Sequence, residues 1–156
     1  MQHLTVEYFH FEQDFMEDNI RCIPMIVRFK LDACGIKLKL KEWSKMTVDE
    51  REQLALLPIG SSTDLDVYKS YVQELIYSHT GENATLLPIN NNNNYCSSID
   101  ALPSVLKEKL EESKMSISIL EWKNLSVLQR FALLKLTRPG HENKNFPKAM
   151  KEFGLA

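Results

Sequence analysis

The feature that most constrains the fold of this chain is an internal repeat at an offset of 79 residues. It lays residues 38–57 over residues 117–136, and six of the 20 aligned positions are identical. The identical pairs are Glu42 and Glu121, Trp43 and Trp122, Val48 and Val127, Arg51 and Arg130, Leu54 and Leu133, and Leu57 and Leu136. Because matching apolar residues call for matching burial, we predict two related copies around a pseudo-twofold axis that enclose a common apolar core.

A helix start is marked in each copy by a hydroxyl residue followed three positions later by a glutamate or a glutamine. The pairs are Thr47 with Glu50 and Ser126 with Gln129, which is the spacing of a capping box. Each cap stabilises its helix start by about 1 kcal/mol. The first capped helix is expected to end before Pro58, because the residue before a proline disfavours helical angles. The second is expected to end near Thr137.

The segments before the two capped helices alternate apolar and polar residues, as half-buried strands do. They cover residues 36–40 and 115–119, and the two could pair in a minor two-stranded sheet. A helix is predicted before each of them, over residues 25–33 and 104–112, with a proline directly before its first residue. Each copy is therefore a helix, an extended segment and a capped helix, over about 24–57 and about 103–137.

The remaining segments complete a mainly α, compact helical domain, and 156 residues is close to the commonest size of a single domain. Between the copies, about 63–98, we predict a helix over 64–79 and a surface loop that contains five consecutive asparagines. Residues 7–15 alternate aromatic and polar side chains, which favours an extended arm. A last helix is expected over about 146–153. We therefore predict one domain over residues 1–156.

Charge and hydropathy exclude several classes of function. The 19 basic and 21 acidic residues give a formal net charge of -2, which argues against general affinity for nucleic acid. No apolar run approaches the roughly 20 residues needed to span a bilayer, and the first ten residues lack the apolar core of a secretory signal. We therefore predict a cytoplasmic protein that binds neither nucleic acid nor membrane.

No motif indicates a catalytic or metal site. The five glycines form no phosphate-binding loop, and the four histidines are scattered without the spacing of zinc ligands. Cys22 and Cys34 are expected to be small buried hydrophobes, although Cys22 could in principle form a nucleophile and base pair with His141. Arg51 and Arg130 are expected to be structural, either snorkelling or pairing with glutamates of the repeat. We assign no catalytic residue, metal ligand or cofactor, and the sequence favours a non-enzymatic protein.

A polar segment at residues 138–145 follows the second capped helix and concentrates varied hydrogen-bonding side chains. It is either a solvated connection or a recognition surface for an anion or a partner protein. In the second case Arg138 and His141 would be the donors.

Blocks near both ends of the chain carry a resemblance to a known family. The N-terminal blocks are Phe9-His10-Phe11-Glu12, Asp14-Phe15 and residues 21–25, 27–32 and 35–38. The C-terminal blocks are residues 129–133, 135–136, 140–143, 145–146 and 152–154. On these blocks the chain resembles the nitrate reductase-associated protein family. The resemblance implies a setting in nitrate assimilation, with nitrate reductase or another protein of that process as partner, and it brings no catalytic residue or cofactor.

Two functions follow from these observations. The first is a non-enzymatic accessory or interaction protein associated with nitrate assimilation. The second is a small-ligand or anion-binding sensor, with or without turnover, whose pocket is built from both groups of blocks. The candidate ligand- or partner-binding residues are Arg21, Arg28, Arg138, His141, Glu142 and Asn145. Self-association through apolar helix faces stays open as well.

Overall fold

The computed structural model describes residues 6–87, 100–138 and 144–156. This part of the chain is mainly α-helical with one small two-stranded antiparallel sheet, so the predicted fold class is confirmed. The chain divides into two compact units, Met1–Ile89 and Asn90–Ala156, which we call the N-terminal and C-terminal units. The single domain and the twofold relation of the copies stay predictions.

The N-terminal unit contains five α-helices and both strands of the sheet in its described part. In chain order these are a 3-10 turn at His10–Glu12, α1 (Gln13–Glu17), α2 (Met25–Cys34), β1 (Ile36–Lys37), α3 (Leu40–Lys45), α4 (Val48–Leu56), α5 (Ser62–Thr80) and β2 (Thr85–Leu86). Helix α5 contacts α2 and α3, and α2 also contacts α4. The core between these helices includes Val27, Trp43, Leu54, Tyr68 and Ile76, all fully buried.

Helix α5 shows how local sequence sets the ends of an element. The Ser61 hydroxyl accepts a hydrogen bond from the Asp64 N–H at 3.1 Å and caps the helix start. The helix ends at Gly81, whose φ of +73° lies in the left-handed region that glycine adopts readily. Between these caps, α5 covers the helix expected over residues 64–79 and extends it at both ends.

The regular secondary structure in the described part of the C-terminal unit is all helical. It contains α6 (Ser104–Glu112), α7 (Ile119–Asn124), α8 (Val127–Lys135) and α9 (Asn145–Glu152). Helix α8 contacts both α6 and α9, and five consecutive residues of α8, Arg130 to Leu134, are buried. Burial on nearly every face places α8 at the centre of this unit, as its continuous apolar sequence predicts.

The helices of the two copies begin at matching positions. Helices α2 and α6 follow Pro24 and Pro103, and the later helices begin at Leu40 and Ile119 and at Val48 and Val127. The turn after the first helix also matches, because Gly35 has a φ of +76° and Lys114 has a φ of +57°. The internal duplication itself stays a prediction.

The two-stranded sheet has a different second strand from the one expected. Ile36 pairs with Leu86 and Lys37 pairs with Thr85, whereas residues 115–119 form no strand. Helices α3 and α7 begin directly after Lys39 and Ser118. A local cap competes with strand pairing here: the Ser118 hydroxyl accepts from the Glu121 N–H at 3.1 Å, and the Lys39 N–H donates to Glu42 at 2.8 Å.

The N-terminal segment is not an extended arm. It folds into the 3-10 turn and α1, and the Glu12 side chain is only 2% exposed. One Glu12 carboxylate oxygen accepts from the Met25 N–H at 2.8 Å, and the other accepts from the Phe9 N–H at 3.0 Å. Because Pro24 caps α2 without a side-chain acceptor, Glu12 satisfies a helix-start N–H that has no partner within α2.

Candidate functional site

A tryptophan and an arginine hold the turn that precedes α2. Trp43 on α3 is fully buried, and its indole N–H donates to the carbonyl oxygen of Ile20 at 2.8 Å. Arg51 on α4 donates from Nη1 to the carbonyl oxygen of Asn19 at 2.7 Å, and its guanidinium lies 5.7 Å from the centre of the Trp43 ring. Arg51 also donates to the carbonyls of Trp43 and Ser44. One arginine therefore satisfies the end of α3 and anchors the turn.

The anchored turn is strained. Asn19 and Ile20 have φ values of +55° and +53°, in the left-handed region. Asparagine tolerates this region, but it costs a β-branched residue about 1–2 kcal/mol. The Ile20 side chain is buried in the core of the unit. Burial of this side chain and the hydrogen bond from Trp43 therefore offset the strain.

The same tryptophan and arginine positions are in contact in the C-terminal unit. Trp122 is fully buried, and the guanidinium of Arg130 lies 6.0 Å from the centre of its ring. Arg130 donates to the carbonyl oxygens of Trp122 and Leu125 and is only 5% exposed. The glutamates expected to pair with the two arginines cap helix starts instead, as the Ser118 N–H donates to Glu121 at 2.9 Å.

Two of the predicted binding residues, Arg21 and Arg28, lie in the N-terminal unit. Arg21 follows the strained turn, and its Nη1 lies 3.6 Å from Oδ2 of Asp18, with both side chains 60% exposed. An ion pair at this exposure adds little to stability. Arg28 is half-buried, and its Nε–H donates to the carbonyl oxygen of Ile23 at 3.0 Å. Arg21 therefore presents its charge to solvent, whereas Arg28 supports the segment before α2.

The other described candidates, Arg138 and Asn145, belong to the C-terminal unit. Arg138 is exposed three residues after the end of α8, and Asn145 is the half-buried first residue of α9. His141 and Glu142 lie outside the described residues. A common pocket built from these candidates stays a prediction.

Cys22 is half-buried and Cys34 is buried. Burial raises the pKa of the Cys34 thiol, which disfavours the reactive thiolate. Cys34 therefore fits the expected role of a small core residue. The pairing of Cys22 with His141 lies outside the described part of the chain.

A buried lysine caps the C-terminal end of α4. Lys30 on α2 is 8% exposed, and its ammonium donates to the carbonyl oxygens of Ala55, at 2.7 Å, and Leu57. Burial lowers the pKa of Lys30, and the negative charge of Glu7 acts in the opposite direction. Helix C-termini carry carbonyls without intrahelical partners, so this lysine has a structural role.

A histidine and a carboxylate link α4 to α5. His79 Nε2 lies 2.8 Å from Oε1 of Glu50, and each side chain is 25% exposed. The same Glu50 oxygen accepts from the Thr47 N–H at 2.8 Å as part of the predicted capping box. Burial alone would raise the pKa of the Glu50 carboxyl, but the hydrogen bonds from Thr47 and His79 outweigh it. They bring this pKa below its ordinary value of 4.5.

Acid is expected to weaken this link. A carboxyl whose pKa is depressed by folding stabilises the folded state above its unfolded pKa, and this contribution is lost as the pH falls through the folded pKa. Glu50→Gln keeps a capping side chain of the kind that Gln129 supplies in the C-terminal unit. The stability advantage of the wild type over this variant should therefore shrink below about pH 4.5, as measured by urea unfolding from about pH 6 to 3.

His79→Gln provides the matched variant for this test. It removes the imidazole but leaves the Thr47 N–H bonded to the carboxylate, so part of the pH dependence should persist. If the difference between the wild type and Glu50→Gln stays constant across this pH range, the depressed pKa of Glu50 does not contribute to stability.

The sequence pattern of the family described as conserved nitrate reductase-associated protein matches residues 8–153 of the 156-residue chain. The chain belongs to this family. The resemblance carried by the terminal blocks is thus confirmed. No curated protein and no solved structure matches the chain significantly.

In this member of the nitrate reductase-associated family, several residues of the resembling blocks support the fold. Glu12 bonds Met25, and Arg130 bonds the end of α7. Sequence reasoning treated Glu12 as part of a surface arm and so missed its role. The Trp43 and Arg51 contact was also missed, although the same eight-residue spacing recurs at Trp122 and Arg130.

Two features are absent from the described residues of this family member. No three histidine, cysteine, aspartate or glutamate side chains in those residues are grouped so that they could hold a metal ion. Among the helices that the structure describes, none is both long enough and apolar enough to cross a membrane.

Proposed function

We propose that this chain is a non-enzymatic accessory protein of nitrate assimilation that acts by binding a protein partner, nitrate reductase or another protein of that process. One observation carries the proposal: nearly the whole chain matches a family named for its association with nitrate reductase. The positions of buried polar groups and of exposed apolar groups support it.

The buried charged side chains serve the fold. Glu12 and Glu42 accept from main-chain N–H groups, and Lys30 and Arg130 donate to main-chain carbonyls. Throughout the described residues, no buried side-chain nitrogen or oxygen lacks a hydrogen-bond partner. Catalytic groups often stand out as strongly perturbed side chains facing a cleft. Full use of these groups within the chain supports a structural rather than a catalytic role for them.

Large apolar side chains are available at the surface of both units. Leu40, Tyr77 and Leu120 are 59%, 60% and 68% exposed. Partly exposed apolar and aromatic residues supply much of the energy of protein interfaces once a partner covers them. These residues therefore support a function that depends on contact with another protein.

The test is direct binding of the purified chain to purified nitrate reductase from nitrate-grown cells, measured by interferometry. A deletion strain provides the second readout. We expect a saturable interaction and a changed reductase activity in the deletion strain. No interaction with the reductase, together with unchanged reductase activity, would refute the accessory function.

The alternative function, an anion or small-ligand sensor, is favoured by the exposed guanidiniums of Arg21 and Arg138. It predicts thermal stabilisation by nitrate, nitrite, molybdate or a nucleotide that grows with the logarithm of ligand concentration and is about 2.7 kcal/mol at 100 times the Kd. The accessory function predicts no stabilisation by any of them. A stabilisation that disappears in Arg21→Ala or Arg138→Ala would support the sensor.

A further inference from the structure

Four exposed lysines follow one another along β1 and α3. They are Lys37, Lys39, Lys41 and Lys45, and together with the exposed Leu40 they form what we call the lysine patch. Within the described part of the chain, none of their ammonium groups forms an ion pair or a hydrogen bond. Glu42, the one carboxylate in residues 37–45, is buried and accepts from the Lys39 N–H. The positive charge of the patch is therefore not neutralised by the residues that build it.

The fold does not require these lysines. The matching positions of the second copy hold Ser116, Ser118, Leu120 and Asn124, and α7 forms there without any cluster of charge. Lys41 and Lys45 lie one helical turn apart, where like charges destabilise a helix. A charge cluster that is absent from the matching helix indicates a use outside folding.

The patch is held on a rigid support. Ile36 and Trp43, which lie within the same segment, are buried in the core of the N-terminal unit, and the Trp43 indole is fixed by its hydrogen bond to Ile20. Side chains on an ordered support lose less backbone freedom when a partner binds, which favours affinity. The backbone that carries the lysines and Leu40 is thus anchored to the core before a partner binds.

We propose that the lysine patch is the docking site for an acidic segment on the surface of nitrate reductase. The inference rests on the proposed accessory function and names the surface that carries it. Four lysines that form no ion pair with any other described residue complement carboxylates, and the formal charge of -2 for the whole chain makes this attraction local. Leu40, 59% exposed between Lys39 and Lys41, supplies an apolar anchor within the charged rim.

The composition of the patch fits a protein better than the other anionic partners. It contains no arginine, whose planar fork favours nucleic-acid recognition, and no exposed aromatic residue on which single strands stack. Helix α3 has six residues, and Leu40 is its one large exposed apolar residue. This apolar surface is much smaller than the face that an interfacial helix inserts into a membrane.

The experiment compares the binding of nitrate reductase to the full-length wild type and to the double variant Lys37→Glu/Lys41→Glu. In this variant the carboxylate introduced at position 41 would face Lys45 one turn on, so the fold should be retained, and circular dichroism checks it. We expect binding to weaken at least about tenfold. We also expect wild-type affinity to fall between about 50 and 300 mM NaCl, with a smaller fall in the variant.

Lys123→Glu/Lys148→Glu is the matched control. Both lysines are exposed in the C-terminal unit, and the variant changes the net charge by the same amount. It should bind the reductase like the wild type. A loss equal to that of the patch variant would show that net charge alone matters, which would overturn the proposal.

The remaining outcomes separate the two proposals. If the reductase binds the wild type and the patch variant equally, the docking surface lies elsewhere and the accessory function stands. If the reductase does not bind the wild type at all, both proposals fail. Patch-dependent binding of phosphatidylglycerol vesicles or duplex DNA, with reductase binding unchanged, would also overturn the docking proposal.

Discussion

Replacing Trp43 with alanine is expected to lower the free energy of unfolding by about 3–5 kcal/mol, measured by urea denaturation near neutral pH. The side chain is fully buried against the core of the N-terminal unit. Its removal leaves a cavity, and it deprives the buried carbonyl of Ile20 of the indole N–H that it accepts from at 2.8 Å. The strained turn at Asn19 and Ile20 also loses one of its two side-chain anchors.

Trp43→Phe separates packing from hydrogen bonding. Phenylalanine keeps much of the volume but has no N–H, so we expect a loss of about 1–3 kcal/mol. Hydrogen exchange should quicken at the amide of Arg21, which bonds the carbonyl of Phe15 across the turn. If alanine at residue 43 changes the free energy of unfolding by less than about 1 kcal/mol, the tryptophan does not hold this turn.

Replacing Arg130 with alanine should lower the free energy of unfolding by about 2–4 kcal/mol. The guanidinium is 5% exposed, lies over the Trp122 ring and donates to the carbonyls of Trp122 and Leu125. Without it these buried carbonyls lose a charged donor, and the space beside the ring is left unfilled. The effect is measured by urea denaturation under the conditions used for Trp43.

Arg51→Ala is the natural comparison, because Arg51 contacts Trp43 as Arg130 contacts Trp122. Arg51 is partly exposed, and its bonds to the carbonyls of Asn19 and Ser44 lie at the surface. Water can replace the guanidinium there, so the loss should be nearer to about 1 kcal/mol. Equal losses in the two variants would contradict the view that burial sets the contribution of each arginine.

Helix starts are the most predictable part of the fold. Thr47 and Ser126 each accept from the N–H three residues later, as their spacing predicts, because a capping box depends only on residues next to each other in the chain. The same spacing at Ser118 and Glu121 marks the start of α7. The alternation of apolar and polar residues around Ser118 favoured a strand instead, so the sequence did not predict that α7 begins there.

The pairing of the strands could not be predicted in the same way. Strand β2 has only two residues, Thr85 and Leu86, which are too few to show a periodicity. It also pairs with a strand from which it is separated in the sequence by α3, α4 and α5. The burial of a single polar residue is equally difficult to predict from the sequence. Nothing near Glu12 in the sequence shows that its carboxylate will satisfy the N–H of Met25 thirteen residues later.

The sequence shows that the candidate residues are charged, but it does not show which of them are available to bind a ligand. Arg21 and Arg138 are exposed cations, as a binding role requires, whereas the Nε–H of Arg28 bonds the carbonyl of Ile23. Residue type alone does not distinguish a guanidinium that binds the main chain from one that faces a ligand. The lysines of the patch are visible in the sequence. Only the structure shows that the neighbouring carboxylate of Glu42 is buried and that Leu40 is exposed.

The positive φ values of Gly35 and Lys114 affect how related sequences can be recognised. Both residues follow the first helix of their copy with a positive φ, but one is a glycine and the other has a long side chain. A search pattern that demands glycine at this point would accept residue 35 and reject residue 114, although both residues have a positive φ. Related modules are better sought by the spacing of their tryptophan, arginine and capping residues than by the residue at this turn.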